Sequence, residues 1–148
     1  MSIVKLAHYS VRAQDLDASR RFYIEVLGLR EGYRPPFPFP GAWLYAGEDE
    51  MEYGAVHLIG MENEESLAAY LGDRDDKGGC GPLDHIAFLA TGWAAQRTRC
   101  AAHGIGYTLR QVPMLKLLQV FMKDPSGVVV ELNYPADEGN QVSTATLR

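Results

Sequence analysis

Hydrophobic and polar positions follow two different periods along this chain, and each change of period marks an element. Residues 3–12 (IVKLAHYSVR) carry apolar residues on both faces of a period-two pattern, which predicts a strand buried on both sides. Apolar residues then recur at helical spacing over 16–27, after the N-cap residue Asp15 and before Gly28, which predicts a helix. Further strands are predicted on either side of the proline-rich loop PPFPFPG, at residues 29–34, 42–47 and 54–60.

The same order of elements returns in the second half of the chain. Residues 61–81 are polar and predict a linker, with room for a helical turn or two over 64–71. A strand, a helix and three further strands are then predicted at 83–90, 93–103, 106–112, 117–122 and 128–133. The pattern therefore predicts one α+β domain over residues 1–135, built from two β-α-β-β-β units at about 3–60 and 82–135. Residues 136–148 are predicted to form a polar tail.

Polar residues recur at matching places in the two units. The first-strand histidines, His8 and His85, precede a glycine at the helix end by 20 and 19 residues respectively. His57 follows the first of them by 49 residues and Glu131 follows the second by 46, and both are predicted to lie within the last strand of their unit. The repeat therefore predicts that four equivalent polar residues come together.

The chemistry of these four residues suggests a metal site. A carboxylate among valines, as Glu131 is in VVVELNY, is costly to bury unless a cation or a donor compensates it. Imidazole and carboxylate ligands suit a divalent transition metal, and two histidines with one carboxylate leave open positions for a substrate. We expect His8, His85 and Glu131 to bind the metal. His57 either binds it too or stands beside it as a base or hydrogen-bond donor.

Composition narrows the class of protein. The 148 residues are 47% apolar and 22% charged, as in a folded domain, and the net charge is −5. No basic run is long enough to follow a phosphate backbone, and no apolar stretch is long enough to span a membrane, so neither partner is expected. Cys80 and Cys100 lack a metal-binding or disulfide spacing and are expected to be reduced thiols in a cytoplasmic protein.

Several segments resemble the vicinal oxygen chelate superfamily. HYSVRAQDLDASRRFYIEVLGL, AVHLI, LDHIAF and DPSGVVVELNY are similar to this family over residues 3–135. It includes glyoxalase I, methylmalonyl-CoA epimerase, fosfomycin and bleomycin resistance proteins, and extradiol dioxygenases. The resemblance implies a half-open, eight-stranded, barrel-like sheet around a metal, often within a homodimer. It also implies the metal ligands His8, His57, His85 and Glu131.

The ligand set favours one chemistry within that family. His8, His85 and Glu131 form the two-histidine, one-carboxylate set of non-haem iron oxygenases, so we expect a dioxygenase-like enzyme acting on a small oxygen-chelating substrate, with one Fe(II) per site. Mn, Ni, Co and Zn are alternatives. A glyoxalase I-like or epimerase-like isomerase or lyase is a second hypothesis, with His57 and Glu131 as catalytic residues. A small-ligand-binding protein of the bleomycin-resistance kind is a third.

Aromatic residues at strand spacing predict the substrate pocket. Tyr9, Trp43, Tyr45 and Phe121 are the candidates, although such residues are also typical of an ordinary core. Arg12, Arg110 and Lys116 are candidates to meet an anionic group of the substrate, against the simpler interpretation that they are solvated surface charges.

Overall fold

The computed structural model describes residues 6–47, 54–62, 64–71 and 83–139. The chain divides into two compact units, Met1–Gly78 and Gly79–Arg148. Both units contain a strand, a helix and three further strands, so the predicted α+β class and the β-α-β-β-β order are confirmed. The eight predicted strands are present and form two hydrogen-bonded sheets of four, rather than one continuous sheet.

The first unit is built around the helix predicted at 16–27. The Asp15 carboxylate accepts a hydrogen bond from the Ala18 amide at 2.8 Å, so the N-cap forms as its sequence position predicts. After one and a half turns the helix widens into a π-helical turn over Phe22–Val26 and then ends at Gly28, which has a φ of 77°. The elements of the first unit are, in chain order, Tyr9–Ala13 (β1), Leu16–Arg21 (α1), Arg30–Gly32 (β2), Gly41–Tyr45 (β3), Val56–Gly60 (β4) and Glu64–Leu71 (α2).

The sheet of the first unit has the order β1-β4-β3-β2, with β1 parallel to β4 and the remaining neighbours antiparallel. Apolar side chains of the helix and of the sheet pack into the core of the unit, among them Phe22, Val26, Leu44, Val56 and Leu58. Their burial supplies most of the stabilising free energy of this unit, since apolar area removed from water is the main favourable contribution to folding.

The second unit repeats this arrangement with a sheet of order β5-β8-β7-β6, in which β5 is parallel to β8. Its elements are Ile86–Leu89 (β5), Trp93–Ala102 (α3), Tyr107–Val112 (β6), a 3₁₀ turn at Pro113–Leu115, Leu117–Lys123 (β7), Val129–Pro135 (β8) and Ala136–Gly139 (α4). Trp93 of the helix is buried against Tyr107 and Tyr134 of the sheet, at ring-centroid distances of 5.3 and 5.7 Å. In the part of the chain that the structure describes, no helix is long and apolar enough to cross a membrane.

Two local predictions are corrected. The first strand begins at Tyr9, and Leu6 before it is 77% exposed, so residues 6–8 are not part of a strand buried on both sides. The predicted polar tail begins with helix α4, where the Glu138 carboxylate accepts a hydrogen bond from the Trp93 amide at 2.6 Å. Cys100 is a buried free thiol, as expected, whereas Cys80 and residues 140–148 lie outside the described residues.

Candidate functional site

Strand pairing places the predicted ligands at equivalent positions in the two units. His8 and His85 each lie one residue before the first strand of their unit, rather than inside it. In the first unit Ser10 pairs with His57, and in the second Ala87 pairs with Glu131. Paired residues in neighbouring strands share one face of the sheet. His8 lies two residues before Ser10, and His85 lies two residues before Ala87. Each histidine therefore stands at the same distance along the chain from the residue that pairs with its partner.

The first pair consists of two stacked imidazoles. The rings of His8 and His57 lie 3.8 Å apart between centroids with an interplanar angle of 17°. On its other face His57 stacks on Trp43, at 3.9 Å and 3°, and these two residues are paired across β3 and β4. His57 is therefore held in one orientation, with 8% of its surface exposed, while His8 is exposed to solvent.

The surroundings of His57 keep its ring neutral. Burial, together with the charges of His8 and Arg34, lowers the pKa of His57 to about 4, while a hydrogen bond with the Gly54 backbone acts in the opposite direction. The His57 Nε2 atom is buried and has no hydrogen-bond partner within the described residues. A neutral imidazole whose proton is on Nδ1 offers a lone pair at Nε2, which is the form that binds a metal ion.

The second pair joins a histidine to a buried carboxylate. The His85 Nε2 atom lies 2.8 Å from Glu131 Oε2, and its Nδ1 atom lies 2.6 Å from Asp84 Oδ1. Each ring nitrogen therefore faces an acceptor oxygen. If Nδ1 carries the proton of a neutral ring, the lone pair of Nε2 faces a carboxylate oxygen. These two electron-rich atoms repel each other unless a second proton or a metal ion lies between them.

Glu131 is supported by polar neighbours on its own face of the sheet. Its side chain is 5% exposed, and Oε1 accepts a hydrogen bond from Gln119 Nε2 at 2.7 Å. The same amide lies 3.2 Å from Asn133 Oδ1. Because Gln119 occupies Oε1, the other carboxylate oxygen, Oε2, is directed to His85. Such outer hydrogen bonds orient the ligands of metal sites.

The two pairs fit a metal ion chemically. Metal bonds of about 2.1 Å at right angles place two donor atoms about 3 Å apart, close to the separation of His85 Nε2 and Glu131 Oε2. His57 adds an orphaned buried nitrogen in the first unit. Across the described ranges, however, no three or more His, Cys, Asp and Glu side chains lie together as a group that could hold a metal ion. The structure thus presents the four residues as two pairs.

The predicted pocket residues separate into two kinds. Trp43 stacks on His57, and Phe121 lies edge-on to His85 at 5.9 Å. These two aromatic residues are equivalent in the repeat, because Trp43 pairs with His57 across one sheet and Phe121 pairs with Glu131 across the other. Tyr9 instead lies beside Tyr23 of the π-helical turn, with 3.3 Å between their hydroxyl oxygens. Tyr45 is buried and donates its hydroxyl hydrogen to the Tyr33 carbonyl at 2.7 Å. Of the four candidates, Trp43 and Phe121 adjoin the ligand pairs.

A cleft in the second unit adjoins Phe121. It has a volume of about 530 Å³ and is lined by residues 104–108, 121–123 and Val129. This volume falls in the range of small-molecule sites. Phe121 therefore forms a wall shared by the cleft and the environment of His85.

Sequence reasoning missed two residues that support the second pair. Asp84 is adjacent to His85 in the sequence. A carboxylate next to a candidate ligand could have indicated a hydrogen-bond partner of that ligand. Gln119 interrupts the apolar run LLQVF, and it lies on the same side of its strand as Phe121. A lone amide at such a position indicates a buried polar partner, but its identity depends on strand register.

Comparison with known proteins agrees with this fold. The model of the Glyoxalase/Bleomycin resistance protein/Dioxygenase superfamily matches residues 5–132. Glyoxylase I 4 of Arabidopsis thaliana is 28% identical over 137 residues, which cover 89% of this chain and 71% of that protein. The fold defines a class of proteins made from paired β-α-β-β-β units. This chain belongs to the glyoxalase, bleomycin resistance protein and dioxygenase superfamily.

Solved structures of that fold include proteins of different activities. A lactoylglutathione lyase from Agrobacterium tumefaciens is 23% identical with a TM-score of 0.59, and the match covers 94% of this chain and 99% of that one. An antibiotic binding protein from Streptomyces sp. CB03234 is 20% identical with a TM-score of 0.58, covering 91% of this chain and 98% of that one. At these identities the similarity establishes the fold alone.

Proposed function

We propose that this protein is a divalent-metal-dependent lyase or isomerase that acts on a small molecule with two neighbouring oxygen atoms. His8, His57, His85 and Glu131 are its metal ligands. The observation that carries the proposal is the buried, partnerless Nε2 of His57 among the described residues, on a ring whose pKa is lowered to about 4. A buried acceptor without a partner costs free energy, and a bound cation offsets that cost.

His57 as a ligand favours this proposal over the oxygenase. Four protein ligands leave two positions on a six-coordinate ion, which suffice for a chelating substrate but not for a catecholate and O₂ together. The similarity to a glyoxylase I protein of Arabidopsis thaliana supports the same choice.

The residues of this chain have separate roles in the proposed reaction. When bound, a divalent metal supplies Lewis acidity toward the two substrate oxygens. Glu131, once its Oε2 atom is no longer bound to the ion, accepts the proton from the carbon beside the carbonyl through Oε2 and returns it to the neighbouring carbon, while Gln119 holds Oε1 in place. Asp84 fixes the His85 ring through Nδ1. Trp43 keeps the His57 ring in its plane.

An extradiol-type dioxygenase is the second candidate. It needs only His8, His85 and Glu131 as ligands, with Fe(II), and the exposure of His8 leaves that imidazole available without His57. Under this alternative the stack on Trp43 and the Gly54 hydrogen bond hold His57 away from the ion. Zn fits the first proposal better than the second, because O₂ activation needs a redox-active ion and Zn²⁺ is not one.

Metal analysis of variants tests the ligand set. Protein purified without chelator or affinity resin is expected to hold about one divalent ion per chain, since the ligand set is a complete N and O donor site. His85→Ala and Glu131→Ala should abolish binding, and His57→Ala should weaken it, since the fourth ligand adds affinity to the site that the other three form. His103→Ala, which removes an exposed histidine at the end of α3, is the matched control and should retain the metal. Stoichiometric metal in both His85→Ala and Glu131→Ala would overturn the assignment.

Activity assays with the reconstituted protein separate the candidates. Formation of the thioester lactoylglutathione from methylglyoxal and glutathione supports the lyase, and O₂ uptake with catechols after anaerobic Fe(II) loading supports the dioxygenase. If His57→Ala loses metal as completely as His85→Ala, the dioxygenase is contradicted. Tight binding of a small molecule with no metal and no turnover would instead indicate a binding protein, as in the Streptomyces relative.

A further inference from the structure

Counted along the chain from paired strand positions, an arginine stands at an equivalent place in each unit. In the first unit Gly32 pairs with Trp43, and in the second Thr108 pairs with Phe121; these two aromatic residues pair in turn with His57 and Glu131. Arg34 and Arg110 each stand two residues beyond the first member of these rows. The repeat that relates the metal-ligand candidates therefore relates these arginines as well.

Arg34 is held in place by aromatic rings and a backbone carbonyl. Its guanidinium lies over the rings of Phe37 and Phe39, at 5.0 and 5.2 Å from their centroids, and Nη2 donates to the Phe39 carbonyl at 2.8 Å. Among the described residues it has no carboxylate within salt-bridge distance. Phe37 also lies 6.2 Å from Trp43, which stacks on His57, so the guanidinium belongs to the same group of rings as that ligand.

Arg110 is held in a comparable way in the second unit. Its guanidinium lies 5.2 Å from the centroid of Phe121, whose ring lies against His85. Within the part of the chain that the structure describes, no carboxylate pairs with Arg110 either. Its side chain is exposed, whereas that of Arg34 is half-buried, and burial lowers the pKa of Arg34. Both arginines therefore present N–H donors from a planar group that is already oriented by aromatic rings.

We propose that Arg34 and Arg110 are anion-recognition residues, each beside the ligand pair of its own unit, and that the substrate carries an oxyanion in addition to its chelating oxygens. A guanidinium fork matches the two oxygens of a carboxylate or a phosphonate, and stacking against an aromatic ring reduces the entropy lost on binding. That the anion belongs to the substrate rests on the proposed function, but the anion sites themselves do not require a metal.

Binding of three probes to metal-free protein tests this inference. Benzoate, phenylphosphonate and benzamide share a phenyl ring, and only the first two carry an oxyanion; the two arms distinguish a carboxylate from a phosphonate site. The readout is the side-chain Nε–Hε signal of each arginine in two-dimensional NMR. The anions should shift the Arg34 and Arg110 signals in a saturable manner, while benzamide shifts neither.

Arg30 provides the matched control because its guanidinium also lies over a ring, 5.5 Å from the centroid of Tyr45, and Tyr45 belongs to neither row. Its signal should not respond. Arg34→Gln should weaken anion binding in the first unit about tenfold, and Arg34→Lys should weaken it less, since lysine keeps the charge but lacks the fork. The wild-type signals keep the test valid if Arg34→Gln disturbs the loop that it bonds.

Three results would overturn the inference. They are an absent response of either arginine, an equal response to benzamide, and a response of Arg30 as large as that of the other two. Because the measurement uses protein stripped of metal, a negative result here leaves the metal-content experiment unaffected. Conversely, if the protein proves to bind no metal, this binding test remains valid.

Discussion

At the scale of single residues, the buried imidazole of His57 makes the stability of the metal-free protein depend on pH. Its pKa is about 4 in the folded state, against an ordinary value of 6.5. Between these values the unfolded chain binds a proton that the folded chain does not. The contribution of His57 to the free energy of unfolding is therefore complete above pH 6.5. It decreases as the pH drops toward 4, by roughly 3 kcal/mol at most.

Thermal unfolding of metal-free protein across this range measures the effect. His57→Phe keeps an aromatic ring on Trp43 and removes the titration, so its melting temperature should change less between these pH values than that of the wild type. His103→Gln serves as the control and should follow the wild-type curve. Parallel curves for His57→Phe and wild type would contradict the assigned pKa.

Gln119 is the second residue with a measurable role. Gln119→Leu removes the donor to Glu131 Oε1, which leaves that buried carboxylate with one fewer hydrogen bond. We expect metal affinity to fall by about 10- to 100-fold, as for other outer-sphere partners of metal ligands. Titration with a competing chelator measures the change. Gln111→Leu, an exposed glutamine in β6, is the control, and equal affinities of the two variants would count against a positioning role.

The sequence singles out candidate ligands but not the side chains that surround them. His8, His57, His85 and Glu131 could be selected because a repeat compares two copies within one chain, which replaces an alignment. The Gln119 contact depends on which residue of β7 faces Glu131 in β8, and strand register is fixed by long-range packing rather than by local pattern.

At the scale of elements, helix α3 depends on a cap supplied by a distant helix. Gly92 precedes the helix with a φ of 80° and offers no side chain, and the Glu138 carboxylate of α4 accepts a hydrogen bond from the Trp93 amide instead. A carboxylate at this end also interacts favourably with the helix dipole. Glu138→Ala should therefore lower the free energy of unfolding by about 1–2 kcal/mol.

Urea unfolding followed by circular dichroism measures that loss. Asp137→Ala changes a carboxylate of the same short helix that does not cap α3, and it should have little effect. A Glu138→Ala variant as stable as Asp137→Ala would show that the cap contributes nothing. A long-range cap of this kind has no local sequence signature, which explains why residues 136–139 were expected to be part of a tail.

Element types were more predictable than element ends. The helix over 16–27 has a capping residue, helical spacing and a terminal glycine, and all three signals agree with the structure. The strands at His8 and His85 were extended too far toward the N-terminus, because an alternating pattern continues beyond the last residue that finds a pairing partner.

At the scale of the whole molecule, the edge strands of the two sheets predict self-association. β1 and β5 are edge strands of their sheets, and apolar side chains beside them are exposed, including Leu89 at 89% and Leu6 at 77%. Exposed strand edges with apolar residues are sites of pairing with another chain. We expect light scattering at micromolar concentration to give about twice the 16.4 kDa of one chain.

Leu89→Lys should shift this equilibrium toward the monomer, because a charge on an edge strand opposes pairing. Leu115→Lys places the same charge on another exposed leucine, in the 3₁₀ turn after β6, at the opposite side of the sheet from β5, and should leave the mass unchanged. A wild-type mass of one chain would contradict the expectation.

The π-helical turn of the first unit marks a one-residue difference between the two units. From the start of the first strand to the start of the helix, both units use seven residues, yet from the helix start to the terminal glycine the first unit uses 12 and the second 11. The additional residue lies where the Leu27 amide bonds the Phe22 carbonyl, five residues back. A π-helical turn is the form in which an α-helix absorbs a one-residue insertion without shifting the next strand. The extra residue is thus absorbed within the helix, and the strands carrying the candidate ligands have equivalent register in the two units.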